Sequence, residues 1–168
     1  GHRRLAIQDL SLAGKQPMLS ASQRFVITFN GEVYNAPALF KELNENGEGI
    51  SWRGHSDTEI MLACIESWGL LNAVKRFIGM FAFALWDRQE HQLHLVRDRL
   101  GIKPLYYGYQ RKALLFGSEL KALRGHPSFQ GEINRNALAL FFRHNVIPTP
   151  YTIYQNIHKL QPGTILTF

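Results

Sequence analysis

The spacing of hydrophobic residues along the chain is strand-like in some segments and helix-like in others, and a strand-like run comes first. The run Phe25 to Phe29 is apolar and partly β-branched, which predicts a buried strand that ends at Asn30-Gly31. The sequence Asn35-Ala36-Pro37 is typical of a helix start, and apolar residues at helical spacing follow it as far as the glycine-containing loop at 47–49. The first third of the chain is therefore predicted to contain a strand and then a helix.

A second helix is predicted from a capping motif. Ser56-Asp57-Thr58-Glu59 has the spacing of a capping box, in which the Ser56 hydroxyl and the Glu59 carboxylate satisfy reciprocal backbone donors. Apolar residues at helical spacing follow, and Gly69 offers a C-terminal stop. Cys64 falls on the apolar face of this helix, where neither exposure nor a nearby cation stabilises a thiolate. We therefore interpret Cys64 as a core residue.

The middle of the chain has the period of strands. Phe81, Phe83 and Leu85 alternate with other residues, and the polar turn at 87–91 leads to a second alternating run, so a β-hairpin is predicted. A second hairpin is predicted over 104–117, and helices are predicted from Ser118 and from Asn134. Strands grouped beside helices, without strict alternation, favour an α+β fold with antiparallel sheets. No linker divides the chain, so residues 1–168 are expected to form one domain.

The composition is that of a soluble globular protein. The chain has 168 residues, of which 45% are hydrophobic and 19% charged, so disorder and collagen-like repeats are excluded. The longest apolar stretch is too short to span a membrane, and no signal peptide opens the chain, so no membrane association is expected. A single cysteine cannot form an internal disulfide. A reducing, cytoplasmic location is the expectation.

The positive charge of the chain is concentrated in one segment. Most of the excess of Lys and Arg, 19 against 13 acidic residues, lies between Arg97 and Arg124, with tyrosines nearby. Such a strip can bind nucleic acid through phosphates and stacking. It can equally be a solvated or partner-facing surface, which is the interpretation we favour because no nucleic-acid motif accompanies it.

The residues Asn30 and Gly31 are the first candidates for chemistry. An asparagine side chain donates hydrogen bonds, and a glycine lets a ligand approach its backbone N–H closely. The pair could therefore form an oxyanion hole, or it could simply be a turn between two elements. The sequence pattern by itself leaves both interpretations open.

Arg4 and Asp57 are candidates for binding a charged ligand. A guanidinium such as that of Arg4 binds a carboxylate through two parallel hydrogen bonds. Asp57 lies in the first turn of a predicted helix, where its charge also suits the helix dipole. One cation and one carboxylate are what an amino-acid zwitterion requires, so the two residues could hold its two ends. A metal site is not indicated, because His91 and His94 lack accompanying ligands at the right spacing. A glycine-rich phosphate loop is not indicated either, because Gly101 and Gly108 stand alone.

Several longer motifs resemble one family over nearly the whole chain. They resemble the glutaminase domain of glutamine-hydrolysing asparagine synthetases in eight segments that occur in the expected order, namely Gly1-His2-Arg3-Arg4-Leu5-Ala6-Ile7, Asp9-Leu10-Ser11, Gln16-Pro17-Met18, Phe29-Asn30-Gly31-Glu32-Val33-Tyr34-Asn35, Ser56-Asp57-Thr58-Glu59, Gly79-Met80-Phe81-Ala82-Phe83-Ala84, Arg97-Asp98-Arg99-Leu100-Gly101-Ile102-Lys103-Pro104-Leu105-Tyr106-Tyr107 and Ser118-Glu119-Leu120-Lys121-Ala122-Leu123.

The resemblance implies a class II glutamine amidotransferase domain of the N-terminal-nucleophile hydrolase type. Such a domain has two antiparallel sheets between helices, an αββα sandwich. In the family an N-terminal cysteine attacks the glutamine side-chain amide, and its α-amino group serves as the base. By motif match, Asn30 and the Gly31 N–H would stabilise the oxyanion, Arg4 would hold the α-carboxylate and Asp57 the α-amino group. Glu32 would lie at the edge of the same pocket.

The sequence departs from the family pattern at its start. The family begins with the nucleophilic cysteine, which is absent here, and Cys64 cannot replace it. We therefore expect the chain to be an N-terminally truncated, inactive part of a larger enzyme. The alternative is a non-catalytic module that binds glutamine or docks onto a partner.

The resemblance also implies partners and cofactors. Glutamine is the expected ligand, and a C-terminal synthetase domain of the same parent chain, absent from this sequence, is the expected partner. ATP and Mg²⁺ would belong to that domain, and no cofactor is expected in this one. No nucleic acid is expected as a partner, and a homodimer is possible. The parent enzyme would use the released ammonia to amidate aspartate.

Overall fold

The computed structural model describes residues 1–3, 9, 11–45 and 49–168. They fall into two units, the first made of Gly1–Val96 with Ile165–Phe168 and the second of Arg97–Thr164. The helices and strands, in chain order, are a 3-10 helix Leu12–Gly14, β1 (Met18–Leu19), β2 (Phe25–Val33), α1 (Ala36–Glu45), α2 (Asp57–Trp68), α3 (Leu70–Arg76), β3 (Gly79–Asp87), β4 (Gln92–Arg97), β5 (Tyr106–Gln110), β6 (Ala113–Gly117), α4 (Leu120–Arg124), α5 (Arg135–His144), β7 (His158–Lys159) and β8 (Ile165–Thr167).

The first unit is built on a sheet with the strand order β1-β2-β3-β4-β8. β2 and β3 pair antiparallel over their full length, from Phe25 opposite Asp87 to Val33 opposite Gly79. Alternate residues of β2 are buried, because one face of the strand packs into the core. The hairpin predicted from the alternating phenylalanines is the β3–β4 pair, and its turn lies where the polar residues predicted it.

The predicted end of β2 is wrong. The strand does not end at Asn30-Gly31 but continues to Val33. Gly31 has φ +150° and pairs with Phe81, and a Cβ at this position would lie 2.1 Å from the Met80 carbonyl oxygen. The glycine therefore allows close contact between two strands, which is a different use of the residue from the predicted turn.

The helix α2 begins as its capping sequence predicts. The Ser56 hydroxyl accepts a hydrogen bond from the Glu59 N–H at 3.3 Å, and Gly69 ends the helix with φ +76°. The reciprocal half of the predicted capping box is replaced by other bonds, because the Glu59 carboxylate accepts from the N–H groups of Arg53 and Gly54. Cys64 is fully buried in α2 among the core residues, as predicted.

The second unit contains a sheet with the order β6-β5-β7, in which both pairs are antiparallel. The β5–β6 pair is the second predicted hairpin, and Asn134 caps α5 as predicted by accepting from the Ala137 N–H at 3.1 Å. Before this sheet, Arg97 donates to three carbonyl oxygens, those of Gly101, Lys103 and Leu160. These bonds fix the segment that leads into β5.

Both units therefore have an antiparallel sheet with helices, and the predicted α+β class is confirmed. The short strands β1, β7 and β8 and the helix α3 were not predicted, because each is too short for its period to be recognised. Within the part of the chain that the structure describes, no helix is both long and apolar enough to cross a membrane. The strand-like Leu5-Ala6-Ile7 lies outside the described residues.

Candidate functional site

Three of the predicted site residues, Asn30, Gly31 and Glu32, are consecutive near the end of β2. Their partners on β3 are Ala82, Phe81 and Met80. The pairing of β2 with β3 is continuous from Phe25 to Val33, so the backbone of all three residues is held in a regular ladder. The ladder gives these three residues a fixed backbone geometry.

The backbone N–H of Gly31 points away from β3. In an antiparallel pair, alternate residues direct their N–H groups to opposite edges of the strand. The N–H of Phe29 donates to the Gln16 side chain at 2.6 Å, and the N–H of Val33 donates to Asp57 at 3.1 Å, so both lie on the edge remote from β3. Gly31 lies midway between them, and its N–H therefore faces the same edge.

Asp57 is the first residue of α2 and joins that helix to β2. Its side chain is buried, and its Oδ2 accepts the hydrogen bond from the Val33 N–H. Burial raises the pKa of the Asp57 carboxyl above its ordinary value, and the negative charge of Glu32 adds to the rise, while the N–H groups of Val33 and Thr58 oppose it. The charged form of this carboxyl is therefore less favoured than that of an exposed aspartate.

A cavity of about 420 Å³ opens beside these residues. The two carboxyl side chains of Glu32 and Asp57 lie on its wall, together with the aromatic rings of Phe40 and Trp52. Those two rings are 4.8 Å apart between centroids, and the Trp52 indole N–H donates to the Asn44 side chain at 3.0 Å. The cavity is thus mainly apolar with an acidic side, and it suits a small ligand that carries a cationic group.

The structure places four of the five predicted site residues in one region. Asn30, Gly31 and Glu32 are joined to Asp57 through the end of β2, and Glu32 and Asp57 share the cavity. Arg4 lies outside the described residues. His55 and Gly54 also line the cavity and were not predicted, because they belong to the loop before the capping sequence, whose fold no sequence pattern indicates.

Cys64 is not part of this site, because it lies buried inside α2. No group of three or more histidine, cysteine, aspartate or glutamate side chains suited to a metal ion occurs in the described ranges. Asp57 and Glu32 are the two carboxylate residues that line the cavity, and they give it an acidic side.

The whole chain, residues 1–168, matches the family model for the glutamine amidotransferase domain. It is 38% identical to asparagine synthetase [glutamine-hydrolyzing] 3 of Bacillus subtilis over 171 aligned positions, which cover 100% of this chain and 27% of that protein. It is 36% identical to the putative asparagine synthetase [glutamine-hydrolyzing] 2 of Methanocaldococcus jannaschii, covering 100% of this chain and 35% of the relative. The chain therefore spans about a quarter to a third of the length of these relatives.

The fold also resembles solved structures. Glutamine phosphoribosylpyrophosphate amidotransferase from B. subtilis superimposes with a TM-score of 0.62 at 25% identity, covering 73% of this chain and 28% of the other. This solved structure is an amidotransferase that is not a synthetase. The fold it shares with this chain is therefore that of the glutamine amidotransferase domain.

Proposed function

Since the chain belongs to the glutamine amidotransferase domain family, we propose that it is the glutamine-binding part of the glutaminase domain of a glutamine-hydrolysing asparagine synthetase. In such an enzyme glutamine is hydrolysed to glutamate and ammonia, and the ammonia amidates aspartate in an ATP-dependent step. The second step belongs to a C-terminal synthetase domain, which would be the partner of this one. ATP and Mg²⁺ act in that domain, and no residue of the candidate site is assigned to binding either of them.

The observation that carries the proposal is the buried carboxylate of Asp57 on the wall of the cavity. Its raised pKa reflects a charge that burial and Glu32 leave poorly compensated. The α-ammonium group of an amino acid would supply the missing positive charge at this point. We assign Asp57 to the α-amino group of glutamine and Glu32 to the edge of the same pocket.

Asn30 and Gly31 are proposed to stabilise the oxyanion that forms when the glutamine amide is attacked. The direction of the Gly31 N–H, away from the β3 ladder, supports this role, because a donor used in the ladder would be occupied. A donor held in a paired strand needs no reorganisation when negative charge develops on the substrate oxygen. Asn30 precedes it and would contribute its side-chain amide.

Arg4 is proposed to hold the α-carboxylate of glutamine, and this assignment rests on the motif alone. The nucleophile of the family is an N-terminal cysteine with a free α-amino group. Cys64, the single cysteine of the sequence, is buried inside a helix and cannot take that role. The chain therefore provides the binding and oxyanion groups of the reaction.

Calorimetric titration with L-glutamine tests the proposal directly. We expect binding to the chain, and we expect glutaramate, which lacks the α-amino group, to bind much more weakly. Asp57→Asn should weaken glutamine binding by about tenfold or more, because one charge-assisted hydrogen bond contributes roughly that factor. Glu45→Gln is the matched control, since Glu45 is an exposed residue of α1 that pairs only with Lys41 among its described ion-pair partners.

The pH dependence of binding provides a second criterion. Because the pKa of Asp57 is raised, its carboxylate is protonated at a higher pH than an ordinary aspartate, and glutamine affinity should fall as the pH is lowered through that range. In Asp57→Asn this fall should disappear. Equal affinity for glutamine and glutaramate would contradict the assignment of Asp57.

A further inference from the structure

Three consecutive peptide N–H groups, those of Arg53, Gly54 and His55, point at two carboxylates from elsewhere in the chain. The Glu59 side chain accepts from Arg53 N at 2.8 Å through Oε1 and from Gly54 N at 2.9 Å through Oε2. Asp9 Oδ2 accepts from His55 N at 3.3 Å. We call residues 53–55 the donor segment.

The donor segment is packed closely onto these two acids. Asp9 is fully buried and Glu59 is 8% exposed. A Cβ on Gly54 would lie 2.5 Å from Asp9 Oδ2 and 3.0 Å from the Ala13 side chain, so only glycine fits between the carboxylates. The acceptor ends of these three bonds are therefore largely shielded from solvent.

Each acid also has further partners that hold it in place. The hydroxyl and N–H of Ser11 hydrogen-bond to Asp9 and, outweighing its burial, hold the pKa of its carboxyl at about 2, with further help from the His55 N–H and imidazole. Glu59 lies in the first turn of α2, where the helix dipole favours a negative charge, and it pairs with the Arg53 guanidinium at 3.4 Å. The two carboxylates are therefore built to serve as acceptors.

The position of the donor segment gives these bonds a functional consequence. Gly54 and His55 form part of the cavity wall, and the next two residues are the helix cap Ser56 and Asp57. A segment free to move would change both the wall and the approach to Asp57. Three bonds to two buried acids prevent this movement.

We propose that Asp9 and Glu59 are positioning residues, which fix the donor segment and thereby set the shape of the cavity and the affinity for its ligand. Neither acid lines the cavity, so neither is assigned a contact with the ligand. This inference rests on the proposed function in one respect only, namely that glutamine is the ligand whose affinity reports on the cavity.

We call the three hydrogen bonds from the donor segment to Asp9 and Glu59 the clamp. Amide hydrogen exchange tests the clamp without any ligand. A glutamine side chain has one carbonyl oxygen, so Glu59→Gln can accept from Arg53 or from Gly54 but not from both. We expect exchange at the Arg53 or Gly54 N–H to quicken by about tenfold, the factor expected for loss of one hydrogen bond to a charged acceptor. Asp9→Asn should do the same at His55 and Ser11, while Glu45→Gln should leave all four N–H groups unchanged.

A spectroscopic signature distinguishes the clamp from a general loss of stability. As the pH falls toward about 2, the N–H chemical shifts of Ser11 and His55 should titrate together with the Asp9 carboxyl, whereas in Asp9→Asn this common titration should be absent. Glutamine affinity is then measured for each variant at a temperature well below its Tm. We expect about tenfold weaker binding in Glu59→Gln and in Asp9→Asn.

The results of these experiments distinguish a failure of the glutamine assignment from a failure of the positioning role of Asp9 and Glu59. If wild type does not bind glutamine but the three N–H groups respond as stated, the assignment of the ligand is wrong and the clamp stands. If folded Glu59→Gln and Asp9→Asn keep wild-type exchange rates at residues 53–55, the clamp is refuted. If exchange quickens while glutamine affinity stays at the wild-type value, the segment is held but does not set affinity, and the positioning role is refuted.

Discussion

Replacing Gly31 with alanine tests whether the β2–β3 contact and the proposed oxyanion donor depend on one missing side chain. Gly31 has φ +150°, in a region that side-chain-bearing residues rarely adopt. The new Cβ would lie 2.1 Å from the Met80 carbonyl oxygen and 2.7 Å from Phe81 Cα. Both neighbours are backbone atoms of the paired strand β3, so neither can rotate away.

The size of the effect follows from what must move. To bring the Met80 oxygen to 3.0 Å from the new Cβ, the strands must separate by about 1 Å at this point. That movement breaks or weakens about two ladder hydrogen bonds, worth roughly 1 kcal/mol each. An unfavourable backbone conformation adds about 1–2 kcal/mol. We therefore expect the free energy of unfolding to fall by about 3–4 kcal/mol, which is a large part of the stability of a typical domain.

Urea denaturation followed by circular dichroism measures this change. Gly163→Ala is the matched control, because Gly163 has φ +64° but its Cβ would be 3.8 Å from the nearest atom. It should cost about 1–2 kcal/mol, from backbone conformation alone. If Gly31→Ala destabilises the chain no more than Gly163→Ala, the argument from strand contact is wrong. The backbone N–H of Gly31, the proposed oxyanion donor, would be displaced in the same variant.

Two further predictions concern other parts of the chain. Arg97→Lys should lower the free energy of unfolding by about 2–4 kcal/mol, because one ammonium cannot reach the carbonyl oxygens of Gly101, Lys103 and Leu160 together. Denaturation measures this, and Arg143→Lys, at an exposed position of α5, is the control. Cys64 should react with a thiol reagent only on unfolding, because its side chain is fully buried; rapid labelling in the native state would contradict this.

Local patterns predicted most of the helices and strands correctly, but they did not predict where long-range bonds redirect a side chain. Ser56 caps α2 as its sequence indicates, because the bond closes within one turn. Glu59 has the spacing for the reciprocal bond, yet its carboxylate accepts from Arg53 and Gly54 instead. Those donors lie before the helix, and their approach depends on how the preceding loop folds. Sequence spacing contains no information about that loop.

The candidate site also combines residues that the sequence predicted with residues that only the fold brings together. Motif resemblance predicted Asn30, Gly31, Glu32 and Asp57, and the structure joins them through the bond from Val33 to Asp57, which spans 24 positions in the sequence. The neighbours that hold the cavity wall were not predicted. Asp9 contacts His55 across 46 positions, and no periodicity or capping rule relates residues so far apart.

The two side-chain acceptors on the outer edge of β2 also affect how the chain meets other proteins. Unpaired N–H groups along a strand edge are a template for adding a foreign strand, and natural proteins protect such edges. Gln16 occupies the N–H of Phe29 and Asp57 occupies that of Val33, so an incoming strand would find two of three successive donors already bonded. The two side-chain acceptors that flank the Gly31 N–H thus also discourage pairing between this edge of β2 and a strand of another chain.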